Sequence, residues 1–198
     1  MKKLSYFISL LIIACSCQQL DGDRVPTKNF IQEYLIPESL SYSSYSDEFR
    51  FDGIWISDGE VLERMLEKYG DTVYNSSYFM PTNAVGVDFE KIEITSDMDF
   101  DSGHKAGESL ADIVMFHGKS PWEFIQAGCP DSWIMESKEF KRIDKKVSEI
   151  TPEDLKLIEP YFTIEFLRQP EQPGIHTITI RFIGETITVE KDFEMTFE

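Results

Sequence analysis

Alternation of apolar and polar residues near the carboxyl end is the feature that most constrains the fold. Three segments there have strand character: 161–167, 175–183 and 186–197. In the second of them Ile178, Ile180 and Phe182 alternate with polar residues. Alternation with a period of two places one set of side chains on a core and the other in solvent. The pair Gly184-Glu185 predicts a two-residue hairpin turn, so we expect a half-buried antiparallel sheet in this region.

The rest of the chain adds further strands and short helices. The sequence Ser57-Asp58-Gly59-Glu60 is a capping box and Gly70 is a stop signal, so a helix is predicted over 60–69. Strands are predicted over 49–56 and 83–95, the latter with a bulge near Lys91. Shorter helices are expected at two further places: 120–127 and 151–158. The fold class that follows is mainly β, antiparallel, with additional short helices.

Two stretches carry a resemblance to a family. The ending PGIHTITIRFIGETITVEKDFEMTF is similar to the last hairpin of immunoglobulin-like β-sandwich modules in Bacteroidetes lipoproteins. Residues 94–101 and 106–112 resemble a family of uncharacterised lipoproteins of about this length. The resemblance implies an immunoglobulin-like antiparallel β-sandwich with one or two additional short helices, at the bacterial cell envelope. It implies no activity.

The amino-terminal residues predict a lipoprotein signal peptide over 1–14. Lys2 and Lys3 provide a positive region, residues 4–13 are uncharged, and Ile12-Ile13-Ala14-Cys15 matches a lipobox. The apolar run is shorter than the ~20 residues that span a bilayer. We therefore expect lipidation of Cys15, with Cys17 as the weaker alternative and an ordinary secretory signal as the other interpretation.

Lipidation sets the expected organisation of the chain. Acyl chains on the cysteine would hold the protein on the outer membrane, on its periplasmic or its cell-surface face. Residues 15–45 are polar and serine-rich, which predicts a tether, and 46–198 are expected to form a single β-rich domain. Apolar residues at helical spacing suggest a short helix or docked segment within the tether: Phe30, Ile31, Tyr34 and Leu35.

Composition limits the partners. The 198 residues include 36 acidic and 19 basic ones, a formal net charge of -17, which disfavours phosphate backbones and makes nucleic acid an unsuitable partner. An apolar fraction of 41% supports a folded core. Cys129 is the one cysteine outside the signal region, and we expect it to be a buried thiol without a disulfide.

An acidic segment is the candidate metal site. Asp97, Asp99, Asp101 and Glu108 occupy relative positions 1, 3, 5 and 12, as the Ca²⁺ ligands of an EF-hand loop do. Gly103 stands one position later than the glycine of that loop. The alternative, which we favour, is a solvated acidic turn, so no cofactor is expected and Ca²⁺ binding by this segment is the second interpretation.

Aromatic residues suggest a second kind of site. The rings of Trp122 and Trp133 are candidates for stacking on a sugar, since an aromatic face packs on apolar ring surfaces. Packing in the core is the alternative for both. The histidines are too scattered for a metal motif, and His117 and His176 are expected at the surface or in turns.

These features predict a lipid-anchored envelope protein that acts as a non-catalytic binding or assembly module with a glycan or protein partner. The alternative is a calcium-dependent or carboxylate-based hydrolase of envelope polymers, and a third interpretation is a structural subunit of a surface complex. The sequence contains no Gly-x-Ser-x-Gly, His-Glu-x-x-His or glycine-rich phosphate loop. Binding is therefore favoured over catalysis.

Overall fold

The structure, a computed structural model, describes residues 28–75 and 82–198. Within these ranges the chain forms nine strands, three α-helices and one 3₁₀ turn. In chain order they are β1 (Glu33–Ser43), β2 (Glu48–Ile56), α1 (Gly59–Tyr69), β3 (Asn83–Val85), β4 (Phe89–Ser96), β5 (Val114–Ser120), α2 (Trp122–Gln126), α3 (Asp131–Met135), β6 (Lys141–Lys146), the 3₁₀ turn (Val147–Glu149), β7 (Tyr161–Phe166), β8 (Gly174–Gly184) and β9 (Thr188–Phe197). The predicted mainly β class is confirmed.

The strands form two sheets. The larger has the order β3-β1-β2-β7-β5-β6 and the smaller has the order β4-β8-β9. All pairings are antiparallel except that of β1 with β3. The predicted hairpin joins β8 and β9, but β7, the first of the three predicted carboxyl-terminal strands, pairs with β2 and β5 in the larger sheet.

Two local predictions about the smaller sheet concern its bulge and its hairpin turn. The predicted bulge lies in β4, between Phe89 and Lys91. The hairpin turn is displaced by one residue, because the Gly184 N–H donates to the Ile187 carbonyl over 2.8 Å. The two turn residues are therefore Glu185 and Thr186.

One hydrophobic core lies between the sheets, and aromatic rings dominate it. Phe182 of β8 reaches across to the larger sheet, with ring centroids 4.7 Å from Phe51 and 5.1 Å from Phe162. It also lies 5.3 Å from Phe89 of its own sheet. Because burying one Phe contributes roughly 1.5–3 kcal/mol, this cluster is a major source of stability and fixes the distance between the sheets.

The tether predicted over 15–45 requires correction. Phe30, Ile31 and Tyr34 are buried, and β1 pairs with β2 on one side and β3 on the other. Residues 30–35 were predicted to form a short helix or a docked segment. They form no helix but are docked on the core, in and just before a strand, where β1 gains two ladders of backbone hydrogen bonds. The fold thus begins before residue 46, by Phe30 at the latest.

The helices agree in part with prediction. Helix α1 ends at Gly70, whose φ of 71° is the left-handed conformation that favours glycine. Its N-cap is Asp58, which forms no side-chain capping hydrogen bond. The helix predicted over 151–158 is a series of turns, in which the Asp154 carboxylate accepts a hydrogen bond from the Thr151 N–H at 3.0 Å.

A second, smaller apolar cluster surrounds the helices. It joins Phe30 and Tyr34 to Tyr69 of α1 and Phe124 of α2. No helix in the described ranges is long and apolar enough to cross a membrane. The predicted signal peptide and Cys15 lie outside the described residues.

Candidate functional site

The solvent face of the larger sheet carries the candidate site. Along its central strands, Phe49, Phe116 and Phe162 are buried against the core. Because successive side chains of a strand point to opposite faces, the residues next to these phenylalanines point to solvent. Most of them are polar or charged, and they form two rows that cross the sheet.

The first row, which we call the basic row, consists of Arg50, Lys119 and Arg142. Arg50 of β2 is opposite Tyr161 of β7, and Lys119 of β5 is opposite Arg142 of β6. Tyr161 and Lys119 line the same depression, so the tyrosine lies between cations. Ser41 of β1 pairs with Arg50 and ends the row. Half of the Tyr161 side chain is exposed, at 50%.

The second row, the acidic row, runs beside the first and consists of Glu48, His117 and Asp144. His117 is opposite Asp144 on one side and Thr163 on the other. Glu48 lines the same depression as these residues. The register of the strands therefore separates cations and carboxylates into neighbouring lines on one face.

The two rows form the floor of three adjoining depressions with shared lining residues, which together we call the sheet groove. At one end it opens into a cavity of about 620 Å³ beside α3, which shares Lys119 and Arg142 with the central part. At the other end a cavity of about 380 Å³ lies by the β1–β2 turn and shares Glu48 and Tyr161. The groove crosses five adjacent strands, β1-β2-β7-β5-β6. At ~4.8 Å per strand this is about 19 Å, the scale of an extended ligand.

Local electrostatics hold the side chains of the acidic row in place. His117 Nδ1 lies 2.9 Å from Asp144 Oδ1, and His117 Nε2 lies 3.4 Å from Glu165 Oε2. The hydrogen bond from His117, with the nearby Arg142 guanidinium, lowers the pKa of Asp144. These contacts orient the imidazole across the face of the sheet.

The basic row is less fully neutralised. Arg50 pairs with Asp52 at 2.6 Å and Arg142 pairs with Asp144 at 3.4 Å. Lys119 forms no ion pair with any residue that the structure describes. Burial raises the pKa of Glu159, which lines the groove, and the positive charge of Lys119 opposes that rise.

The sequence did not predict that the residues of the sheet groove lie together. The available signal was polar residues alternating with Phe in the segments that became β2, β5 and β7. That signal shows which residues face solvent but not which strands are neighbours. The rows follow from the strand order, which the alternation does not specify.

The predicted calcium ligands do not converge. Asp97 Oδ1 accepts the Thr177 N–H, and Asp99 accepts the Ala106 N–H and pairs with Lys105. Glu108 accepts the Lys105 N–H. Across residues 28–75 and 82–198, no three His, Cys, Asp or Glu side chains are grouped so as to hold a metal ion. Calcium binding by this loop stays a prediction.

Asp101, the fourth predicted ligand, belongs to a different arrangement. His104 lies between two carboxylates, with Nδ1 2.8 Å from Asp101 Oδ1 and Nε2 2.9 Å from Asp112 Oδ1. Arg168 lies 2.8 Å from the other Asp101 oxygen. Hydrogen bonds to Asp101 and then Asp112 raise the pKa of His104. The acidic loop is thus closed by an imidazole and a guanidinium of the chain itself.

The two predicted stacking residues lie on α2 and α3, outside the central part of the groove. The Trp122 ring packs against Tyr69 with centroids 6.4 Å apart, and the Lys156 ammonium lies 4.6 Å from its ring centre. Trp133 contacts Phe124 at 6.3 Å. Both rings are partly buried on the second apolar cluster. Two exposed aromatic side chains line the groove instead, Tyr161 at its centre and Tyr42 at its β1–β2 end.

Cys129 and His176 are buried. The Cys129 thiol is buried, as expected, and burial with the nearby Asp71 raises its pKa to about 12. His176, expected at the surface or in a turn, lies in β8 and is fully buried. Its Nδ1 lies 2.9 Å from Ser96 Oγ and its Nε2 lies 3.1 Å from the Gln172 carbonyl, so both ring nitrogens have partners.

Comparisons with protein-family models, with curated proteins and with solved structures gave no match to this chain. Functional inference therefore depends on the residues and the geometry described above.

Proposed function

We propose that the protein is an exported lipoprotein of the bacterial outer membrane that binds a carbohydrate chain in the sheet groove without catalysis. The anchor would be diacylglycerol on Cys15, supported by the positive, apolar and lipobox regions of the signal sequence. The observation that carries the binding proposal is the row of adjoining depressions across five strands, with Tyr161 at its centre.

A carbohydrate chain suits this groove for two reasons. The exposed face of Tyr161 is able to pack on the apolar side of a sugar ring, while its hydroxyl stays in water. The surrounding side chains offer donors and acceptors for ring hydroxyls: Ser41, Ser43, Glu48, Arg50, His117 and Thr163. A groove of about 19 Å contacts several sugar units rather than one small molecule.

The spacing of the acidic row favours binding over glycoside hydrolysis. Glu48 and Asp144 lie on β2 and β6, which are three strand steps apart. Three steps of ~4.8 Å separate the backbones by about 14 Å, whereas hydrolytic carboxylate pairs lie about 5–9.5 Å apart. Asp144 and Glu165 are closer, but the His117 ring lies between them.

The immunoglobulin-like relationship is also a proposal. Two facing sheets, rich in antiparallel pairs and joined by one aromatic core, support a β-sandwich. The six and three strands differ from the four and three of a constant-type immunoglobulin domain. We propose that β8 and β9 form the immunoglobulin-like part, and that β3 and the helices are additions.

Carbohydrate binding is tested with the full-length protein in detergent against a panel of neutral and acidic polysaccharides, by affinity electrophoresis and calorimetry. Tyr161→Ala should weaken binding about tenfold, since covering ~55 Å² of apolar ring face at ~25 cal/mol per Å² contributes about 1.4 kcal/mol. Tyr45→Ala is the control, because Tyr45 is fully exposed in the β1–β2 turn and outside the groove. Equal binding by both variants, or no binding to any polysaccharide, would contradict the proposal.

The anchor is tested separately. Cys15→Ser should move the protein from the membrane fraction to the soluble fraction and abolish labelling by a clickable fatty acid. Cys17→Ser should change neither result. Loss of labelling in Cys17→Ser instead would place the anchor two residues later.

A further inference from the structure

The order of charges along the sheet groove indicates the kind of carbohydrate that it accepts. In a chain with a formal net charge of -17, three cations lie in one line on the face of the larger sheet. The central aromatic ring, Tyr161, lies between Arg50 and Lys119. A ligand that stacks on Tyr161 therefore has a cation on each side.

From this arrangement we infer that the sheet groove binds a carboxylated polysaccharide, whose acid groups pair with Arg50, Lys119 and Arg142 along the basic row. The inference rests on the proposed carbohydrate binding and names its substrate class. A ring stacked on Tyr161 directs the substituents of the neighbouring sugars toward the flanking cations.

Each cation is suited to this role in a different way. Lys119 has no ion pair among the described residues. A ligand carboxylate is therefore able to pair with its ammonium group without breaking an existing ion pair. The Arg50 and Arg142 side chains are 51% and 76% exposed, and within the described part of the chain each forms its ion pair with a carboxylate two residues away on the same strand. A planar guanidinium has five donors, so each arginine is able to bind a ligand carboxylate while it keeps its own partner.

The acidic row limits which ligands fit. Glu48 and Asp144 lie beside the basic row and repel a ligand with acid groups on both edges. They accept hydrogen bonds from hydroxyl groups instead. A chain with carboxylates on one edge and hydroxyls on the other satisfies both rows, whereas a neutral polymer leaves the Lys119 ammonium without a direct ion pair and with only the longer-range charge of Glu159 beside it.

Polygalacturonate and its fully methyl-esterified form provide matched probes, because they share one sugar chain and differ in charge. The full-length protein in detergent, with chelator present, is titrated with each polymer by calorimetry at low and high salt. We expect polygalacturonate to bind at least tenfold more tightly than the ester, and the preference to shrink at 0.5 M salt, because screening weakens exposed ion pairs.

Two variants complete the test. Lys119→Gln should weaken polygalacturonate binding at least fivefold and leave binding of the ester unchanged. Arg64→Gln, on the exposed face of α1, is the control and should change neither. Equal binding of both polymers, or an unchanged affinity in Lys119→Gln, overturns the inference but leaves carbohydrate binding intact. If neither polymer binds, the inference is also overturned. Binding of the neutral polysaccharides in the wider panel then tests the proposed carbohydrate binding separately.

Discussion

A single buried carboxylate organises the entry of the chain into the fold. Asp71 follows α1 and has no exposed surface. Its two oxygens accept hydrogen bonds from the Phe30 N–H at 2.8 Å and the Ile31 N–H at 2.7 Å. Burial raises the pKa of Asp71, and these two hydrogen bonds partly oppose the rise. The carboxylate therefore attaches the segment before β1 to the end of the helix.

Replacement of this carboxylate tests its contribution. Asp71→Ala leaves two buried N–H groups without partners, and each such group costs about 1–3 kcal/mol. We expect the free energy of unfolding to fall by about 2–6 kcal/mol, measured by urea denaturation. Glu63→Ala, on the exposed surface of α1, should change it by less than about 0.5 kcal/mol. Similar midpoints for the two variants would contradict the structural role of Asp71.

His104 makes stability depend on pH in a defined direction. Hydrogen bonds to Asp101 and Asp112 raise its pKa above 6.5, although Arg168 lies nearby. The stabilisation from protonated His104 is therefore complete below pH 6.5 and is lost as the pH rises through the higher folded-state pKa. Urea midpoints should fall from pH 6 to pH 8.5 in the unmodified protein. His104→Gln should show a smaller fall, and an equal fall would exclude this histidine as the cause.

At the scale of elements, the sequence predicts local secondary structure but not the pairing of strands that are far apart in the chain. The alternation in β8 correctly assigns Ile178, Ile180 and Phe182 to the core. The sequence of β1 is rich in serine, and this suggested a tether. In the structure these serines lie on the solvent side of the strand, whereas Leu35 and Leu40 face the core. Their burial depends on β2 and β3, which a local pattern does not reveal.

The position of β1 predicts where the chain tolerates truncation. A chain of residues 46–198 lacks β1, so β2 and β3 lose their shared neighbour and a row of backbone hydrogen bonds. We expect it to be aggregated or to melt without cooperativity by circular dichroism. A chain of residues 28–198 keeps β1 and should melt in one cooperative transition. Equal cooperative melts would show that β1 is not required for folding.

At the scale of the whole molecule, the core and the groove are two faces of the same sheet. The register that places Phe49 beside Phe162 in the core also places Arg50 beside Tyr161 in the groove. Sequence alternation predicts which of these residues are buried and which are exposed. It does not show the order β2-β7-β5-β6, and that order alone turns isolated polar residues into two rows. This is why the core was largely predictable and the candidate site was not.

If one core joins both sheets, a cavity in the smaller sheet must destabilise the larger one. Phe182 contacts rings of Phe51, Phe116 and Phe162 on the larger sheet. Phe182→Ala should lower the free energy of unfolding by about 3–5 kcal/mol. Ile175→Ala is the control, since Ile175 is exposed on the same strand.

The probe for this experiment is tryptophan fluorescence, followed beside circular dichroism during urea unfolding. The three tryptophans lie on β2, α2 and α3, away from the smaller sheet: Trp55, Trp122 and Trp133. In a single cooperative unit the Phe182→Ala cavity shifts the fluorescence and dichroism transitions together. A dichroism transition that moves to lower urea while the fluorescence transition stays in place would show that the two sheets unfold independently. In that case the geometry of the groove would depend on the larger sheet alone.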